Sequence, residues 1–187
     1  MKKIYTNTKE RFLVYHKQVS TKNKAPYVVF LHGLMSDMNG QKAVATEKFC
    51  IEKGYNFIKF DNFGHGLSSG KFTDQTISDW LLGVNLIIQE LADAPILLLG
   101  SSMGAWLALI ATKLHPKRII GVITLAAAVD FTEELMWNKF TKQEKEIGRS
   151  KVIWQLQTKT KETLNKSQPK NQQDKTGQDS QAHGAFE

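Results

Sequence analysis

Residues 96–107 read Ile96-Leu97-Leu98-Leu99-Gly100-Ser101-Ser102-Met103-Gly104-Ala105-Trp106-Leu107, and this stretch decides the fold. The apolar run over 95–99 predicts a strand buried on both faces, and residues 103–114 predict a helix. A Gly-x-Ser-x-Gly turn joins the two, and its glycines allow the strand and the helix to approach closely. Ser102 would then present its hydroxyl at a helix N-terminus, where N–H groups favour developing negative charge. The stretch predicts a nucleophilic serine; the alternative is an ordinary Gly/Ser-rich turn.

Outward from this stretch, short apolar runs alternate with amphipathic stretches of helix length. Further strands are predicted over 12–15, 27–31, 56–60 and 119–125, and further helices over 41–53, 77–91 and 131–146. Val44, Phe49 and Cys50 are expected near one face of the helix over 41–53. The alternation predicts an α/β fold, a mostly parallel sheet with helices on both faces. In such sheets the active sites lie beyond the carboxyl ends of the strands.

Two other predicted strands lead into loops at the same edge of the sheet. His32-Gly33-Leu34-Met35 follows the strand over 27–31. In an acyl-transfer site this loop supplies one oxyanion-hole N–H, here from Leu34, and the residue after the nucleophile, Met103, supplies the other. His32 is interpreted as a structural residue beneath the loop, with a catalytic base as the alternative. The same two interpretations apply to His65, in the turn after residue 60. His115 closes the helix that Ser102 opens, about 18 Å from the serine.

Taken together, these motifs resemble the α/β-hydrolase superfamily. The resemblance is to the abhydrolase-domain branch of palmitoyl-protein thioesterases and acyl-glucuronide esterases, and it covers about residues 10–140. It rests on Leu31-His32-Gly33, Met38-Asn39-Gly40, Lys42-Ala43, Phe49-Cys50, Phe60-Asp61, Gly64 and Gly100 to Leu107. It implies a serine hydrolase of acyl esters or thioesters, with Ser102 as nucleophile and the N–H groups of Leu34 and Met103 as oxyanion hole.

A hydrolase of this fold needs an acid and then a histidine after the nucleophile. Asp130 follows a predicted strand and is a candidate acid, or else the N-cap of the helix over 131–146. His183 is the candidate base, although no apolar strand precedes it. The C-terminal part therefore resembles a truncated or frame-shifted family member. The alternative function is a catalytically impaired hydrolase remnant that at most binds acyl ligands.

Composition separates residues 1–148, an incomplete α/β-hydrolase core, from residues 149–187, a polar tail expected to be flexible. The 187-residue chain has a net charge of +7, but the lysines of the tail are scattered among Gln and Thr. This pattern does not favour nucleic-acid binding. No His/Cys/Asp cluster has metal-ligand spacing and no Gly-x-Gly-x-x-Gly motif occurs, so no metal or cofactor is expected.

Partners and location are predicted from the same residues. The single cysteine, Cys50, fits a reducing compartment, and neither a signal peptide nor a membrane span is recognisable, so we expect a cytoplasmic protein. The expected partner is a small-molecule acyl ester or thioester. An apolar set either lines the acyl pocket or belongs to ordinary core: Phe131, Leu135, Met136, Trp137 and Phe140. The strand over 119–125 is expected to form an open sheet edge that favours self-association.

Overall fold

The computed structural model describes residues 1–21 and 25–130. The strands are β1 (Lys2–Tyr5), β2 (Phe12–Gln18), β3 (Tyr27–Leu31), β4 (Asn56–Phe60), β5 (Ile96–Ser101) and β6 (Ile119–Leu125). The helices are α1 (Gln41–Lys53), α2 (Ile77–Glu90) and α3 (Met103–Leu114), with one 3₁₀ turn at Phe72–Asp74. The predicted helix over 131–146, its apolar set and the polar tail lie outside the described residues.

The six strands form one sheet in the order β1-β2-β4-β3-β5-β6. β1 and β2 join antiparallel, whereas β4, β3, β5 and β6 run parallel. The expected mostly parallel sheet is therefore confirmed. Because β3 lies between β4 and β5, the loops that follow these three strands meet at one edge of the sheet.

Helices cover both faces of this sheet. α2 and α3 pack on one face, where the larger core includes Val29 of β3 and Leu98 of β5. α1 packs on the other face over a smaller cluster of Val28, Phe30, Ala43, Cys50 and Phe57. All five residues of β3 are buried, as expected for a strand with helices on both sides.

The buried face of α1 differs from the expectation. Ala43 and Cys50 are buried, but Val44 and Phe49 lie on the exposed side, with Phe49 51% exposed. Ala43 and Cys50 are seven residues apart, and so fall on one face of the helix. Small side chains there allow α1 to lie close to Phe57 and Val28, and the expectation that Val44 and Phe49 share the face of Cys50 was wrong.

The sequence did not reveal β1, because two of its four residues are lysines and three are exposed. Its pairing with β2 gives the reason that it forms: Ile4 lies opposite Leu13 and is partly buried against the larger core. At the other edge, β6 pairs with β5, and no described residue pairs with its outer side. Among the described helices, none is both long and apolar enough to cross a membrane.

Candidate active site

Ser102 lies between β5 and α3 with φ 54° and ψ −119°. Glycine enters this region freely, but for a residue with a side chain it costs about 1–3 kcal/mol. The neighbouring loops hold the conformation: the Ser102 N–H donates to the Leu125 carbonyl at 2.9 Å, and the Ser102 carbonyl accepts from the Ala105 N–H at 3.0 Å. The strand–turn–helix geometry is that of a nucleophile elbow.

The glycines that flank the elbow have no room for a side chain. A methyl group on Gly100 would overlap the Gly104 carbonyl and the Ala105 backbone. One on Gly104 would overlap the carbonyl oxygen of Leu31, at the end of β3. The first turn of α3 therefore packs directly on the backbone that leads into the next loop.

The loop after β3 lies against the serine. A methyl group built on Gly33 would be 3.3 Å from Ser102 Cβ and 3.9 Å from Ser102 Oγ. Among residues 1–21 and 25–130, the Leu34 N–H donates to no acceptor. Met103 is the first residue of α3, so its N–H is one of those that a helix leaves without an intrahelical acceptor. The two N–H groups predicted for the oxyanion hole thus belong to backbone on either side of Ser102.

Backbone strain is concentrated at this edge of the sheet. Met35, Ser102, Ala126 and Asp130 have φ values of 54°, 54°, 48° and 52°, and they follow the carboxyl ends of β3, β5 and β6. Such conformations persist only where the surrounding structure enforces them, and they cluster at functional sites. The strain therefore marks the same edge that the motifs indicate.

His32 is buried beneath the loop that it begins. Its Nδ1 lies 2.8 Å from the Gly33 carbonyl, and its Nε2 accepts from the Asn62 N–H at 3.0 Å. Burial lowers the pKa of the imidazole. With both ring nitrogens occupied by backbone groups, His32 has no nitrogen left for a proton from Ser102.

His65 is buried behind His32, with ring centroids 4.8 Å apart, and it also packs against Trp80. Its Nδ1 lies 3.1 Å from the Phe63 carbonyl, and its Nε2 has no partner within the described part of the chain. Burial, followed by the neighbouring His32, lowers the pKa of His65 to about 4. These contacts fit the structural interpretation of His65.

Asp61 is a buried residue to which the sequence assigned no role. One carboxylate oxygen accepts from the Met38 N–H at 2.8 Å, and the other accepts from the Leu67 N–H at 2.9 Å. A side chain on Gly66 would overlap this carboxylate. Asp61 therefore joins the loops after β3 and β4. An acidic residue directly after a buried strand was the available signal, but its partners depend on the fold.

Asp130, His183 and His115 are the remaining candidate residues. Asp130 is partly buried and ends the segment after β6; within that segment the Ala128 N–H donates to the Ser102 carbonyl at 3.4 Å. His183 lies outside the described residues. His115 sits at the far end of α3, with its Nε2 2.9 Å from Asn85 Oδ1. The described structure thus brings Ser102, Leu34 and Met103 to one edge of the sheet, and Asp130 lies two residues after Ala128 in the chain.

A cavity of about 260 Å³ opens beside the loop after β3. Its walls are the end of β3, the loop after it, the first turn of α1 and Ser101, the last residue of β5. Ser101 is 7% exposed. The two adjacent serines thus occupy different surroundings, with Ser102 in the elbow and Ser101 lining this cavity.

Comparisons with known proteins agree with this architecture. The model of the family described as serine aminopeptidase S33 matches residues 22–187. The human mitochondrial palmitoyl-protein thioesterase ABHD10 is 38% identical over 141 residues, 75% of this chain and 46% of the human protein. The chain spans about half the length of the curated relatives it matches.

Solved structures show the same similarity. The structure of mouse alpha/beta hydrolase domain-containing protein 10 is 33% identical with a TM-score of 0.68, and the match covers 78% of this chain and 57% of the mouse chain. Est1E from Butyrivibrio proteoclasticus, with ferulic acid bound, is 25% identical with a TM-score of 0.63, over 70% of this chain and 55% of that chain.

Proposed function

Since this chain belongs to the serine aminopeptidase S33 family of α/β-hydrolases, we propose that it hydrolyses acyl esters or thioesters through Ser102. One observation carries the proposal: Ser102 occupies a strained elbow at a helix N-terminus, directly against Gly33. The human relative is named as a palmitoyl-protein thioesterase, so long-chain acyl thioesters are the first substrate class to test.

The proposed chemistry follows from the groups around Ser102. The hydroxyl oxygen attacks the acyl carbonyl while a base takes its proton, and the carbonyl oxygen becomes an oxyanion. The N–H groups of Leu34 and Met103 donate to that oxyanion. Expulsion of the alcohol or thiol leaves an acyl group on Ser102, which water removes. Loss of one such donor typically costs about 10²–10³ in kcat.

The acid and the base of the proposed triad are Asp130 and His183. Both follow the nucleophile in the chain order Ser, acid, His that this fold uses. Asp130 is supported by its position after β6, in the segment whose Ala128 bonds to the Ser102 carbonyl. His183 is supported by chain order alone.

Non-catalytic acyl binding is the second candidate function. The observation that favours it is the state of His32 and His65, the two histidines that the described structure places at this edge. Both are buried, with lowered pKa values. Without a base, binding and an oxyanion hole leave only about 10³–10⁴-fold acceleration over water.

Thioester turnover by the full chain, with Ser102→Ala and Ser101→Ala beside it, separates the two candidates. Released thiol from S-acyl substrates of several chain lengths is followed colorimetrically. We expect turnover by the wild type and Ser101→Ala, and none above background for Ser102→Ala. Equal rates for the wild type and Ser102→Ala would contradict catalysis. A fluorophosphonate probe located by mass spectrometry should label Ser102, and labelling of Ser101 or Ser69 would contradict the assignment.

A further inference from the structure

The peptide unit between Gly33 and Leu34 is held at only one of its two polar groups. The Gly33 carbonyl lies 2.8 Å from His32 Nδ1 and accepts from the Ser36 N–H at 3.2 Å. The Leu34 N–H of the same unit has no acceptor in the described ranges. A peptide unit is planar and trans, so its carbonyl and its N–H point in opposite directions. Whatever fixes the Gly33 carbonyl therefore fixes the direction of the free Leu34 N–H.

The hydrogen bond from Asn62 determines which nitrogen of His32 carries a proton. The backbone N–H of Asn62 is only a donor, so His32 Nε2, 3.0 Å away, must be the acceptor. A neutral imidazole then carries its proton on Nδ1. Nδ1–H is the donor that the Gly33 carbonyl requires. The loop after β4, which contains Asn62, thus sets the tautomer that anchors the loop after β3.

We infer that His32 is a positioning residue: its Nδ1–H, selected by Asn62, keeps the Leu34 N–H turned toward the reacting carbonyl at Ser102. This inference rests on the proposed function, since it assigns to Leu34 a role in the reaction. Both ring nitrogens of His32 are engaged by backbone groups, so His32 acts on the reaction through the loop. Its effect belongs to the transition state, where the oxyanion forms, so it acts on kcat more than on KM.

Two substitutions of His32 separate the hydrogen-bond donor of the imidazole from its acceptor. In His32→Asn the side-chain amide can place an N–H near the position of Nδ1, and so keep a donor for the Gly33 carbonyl. In His32→Gln the side-chain carbonyl can occupy the position of Nε2, which keeps the acceptor for Asn62 and loses the donor. A purely structural role for the buried ring predicts similar losses for both variants.

The kinetic test measures kcat and KM for an S-acyl thioester with both variants. We expect His32→Gln to lose about 10²–10³ in kcat, and His32→Asn to lose about tenfold or less. His65→Asn is the matched control, because it removes a buried imidazole that contacts His32 but not Gly33. It should lower the melting temperature and keep kcat. Equal losses of kcat in His32→Asn and His32→Gln would overturn the inference.

Nuclear magnetic resonance keeps the test independent of turnover. Long-range ¹H–¹⁵N correlations of the full chain report the tautomer of His32. We expect protonated Nδ1, and a Leu34 amide resonance that moves further in His32→Gln than in His32→Asn, because both variants lose the ring current but only His32→Gln loses the donor. Protonated Nε2, or equal displacement in both variants, would overturn the inference. If these spectra are as expected and the wild type shows no turnover, the proposed function fails while the positioning geometry stands.

Discussion

Ser102 combines a reactive position with an unfavourable backbone conformation. Relief of its positive φ in Ser102→Gly should raise the free energy of unfolding by about 1 kcal/mol, since the strain exceeds the added flexibility of glycine in the unfolded chain. Ser102→Ala is the matched control, because it removes the hydroxyl and keeps the strained conformation. Urea denaturation of both variants measures the difference. A glycine variant no more stable than the alanine variant would contradict strain at this residue.

Asp61 is the buried carboxylate on which two loops depend. In Asp61→Asn an amide N–H₂ must face either the Met38 N–H or the Leu67 N–H, so one backbone donor loses its acceptor. We expect a loss of about 2–4 kcal/mol in the free energy of unfolding. Asp37→Asn makes the same change of charge on an exposed loop and should cost less than about 1 kcal/mol. Chemical denaturation checks both values; similar losses would contradict the role of Asp61.

At the scale of elements, α2 begins with a capping box formed by Thr76 and Asp79. The Asp79 N–H donates to Thr76 Oγ1 at 3.2 Å, and the Thr76 N–H donates to Asp79 Oδ2 at 2.9 Å. Thr76→Ala should therefore lower the free energy of unfolding by about 1 kcal/mol. Thr73→Ala, in the exposed 3₁₀ turn nearby, is the control and should be nearly neutral. Thermal melts followed by circular dichroism distinguish them.

The same cap makes the free energy of unfolding depend on pH. Burial alone would raise the pKa of Asp79, but hydrogen bonds from Thr76 and Arg11 outweigh burial and hold the pKa below its usual value. The stabilisation is therefore complete above the unfolded-state pKa of about 3.9 and is lost as the pH falls through the lower folded-state value. Asp79→Asn should weaken this acid dependence. Denaturation midpoints between pH 2 and 6 test it; parallel curves for the two proteins would contradict it.

The sequence predicted those elements whose signal is local. The boundaries of β3, β4 and α1 match the predicted ones, because an unbroken apolar run defines β3, the polar turn that begins at Asp61 ends β4, and Gly54 ends α1. β1 was not predicted, because its burial depends on a single residue, Ile4, and on pairing with β2. The error on α1 arose because hydrophobicity alone cannot show that the sheet accepts only small side chains there.

The candidate site was predictable to the same extent. Ser102, Leu34 and Met103 lie within three residues of the ends of β5 and β3, so sequence position alone places them at this edge of the sheet. The partners of His32 and Asp61 could not be predicted. His32 pairs with Asn62 and Asp61 with Met38, 30 and 23 residues away in the chain, and the pairing of β3 with β4 brings these loops together.

At the scale of the whole molecule, the exposed side of β6 remains a predicted site of self-association. Ile120 is 65% exposed and Ile123 is 44% exposed, and no charged residue interrupts the strand. Edges of this kind pair with other chains, and a lysine on them prevents pairing. Sedimentation velocity should show concentration-dependent association that Ile123→Lys reduces. Leu82→Lys, at an exposed position of α2, is the control. A concentration-independent monomer would contradict the prediction.

The carboxylate of Asp61 also couples two amides that lie 29 residues apart, Met38 and Leu67. Both N–H groups donate to the same carboxylate, which protects them from exchange with solvent deuterium. Movement of the Asp61 side chain away from the two loops would therefore expose both N–H groups at once. Their exchange should therefore be slow and synchronous, with one opening rate shared across two loops. The loops after β3 and β4 would then open together, in one event.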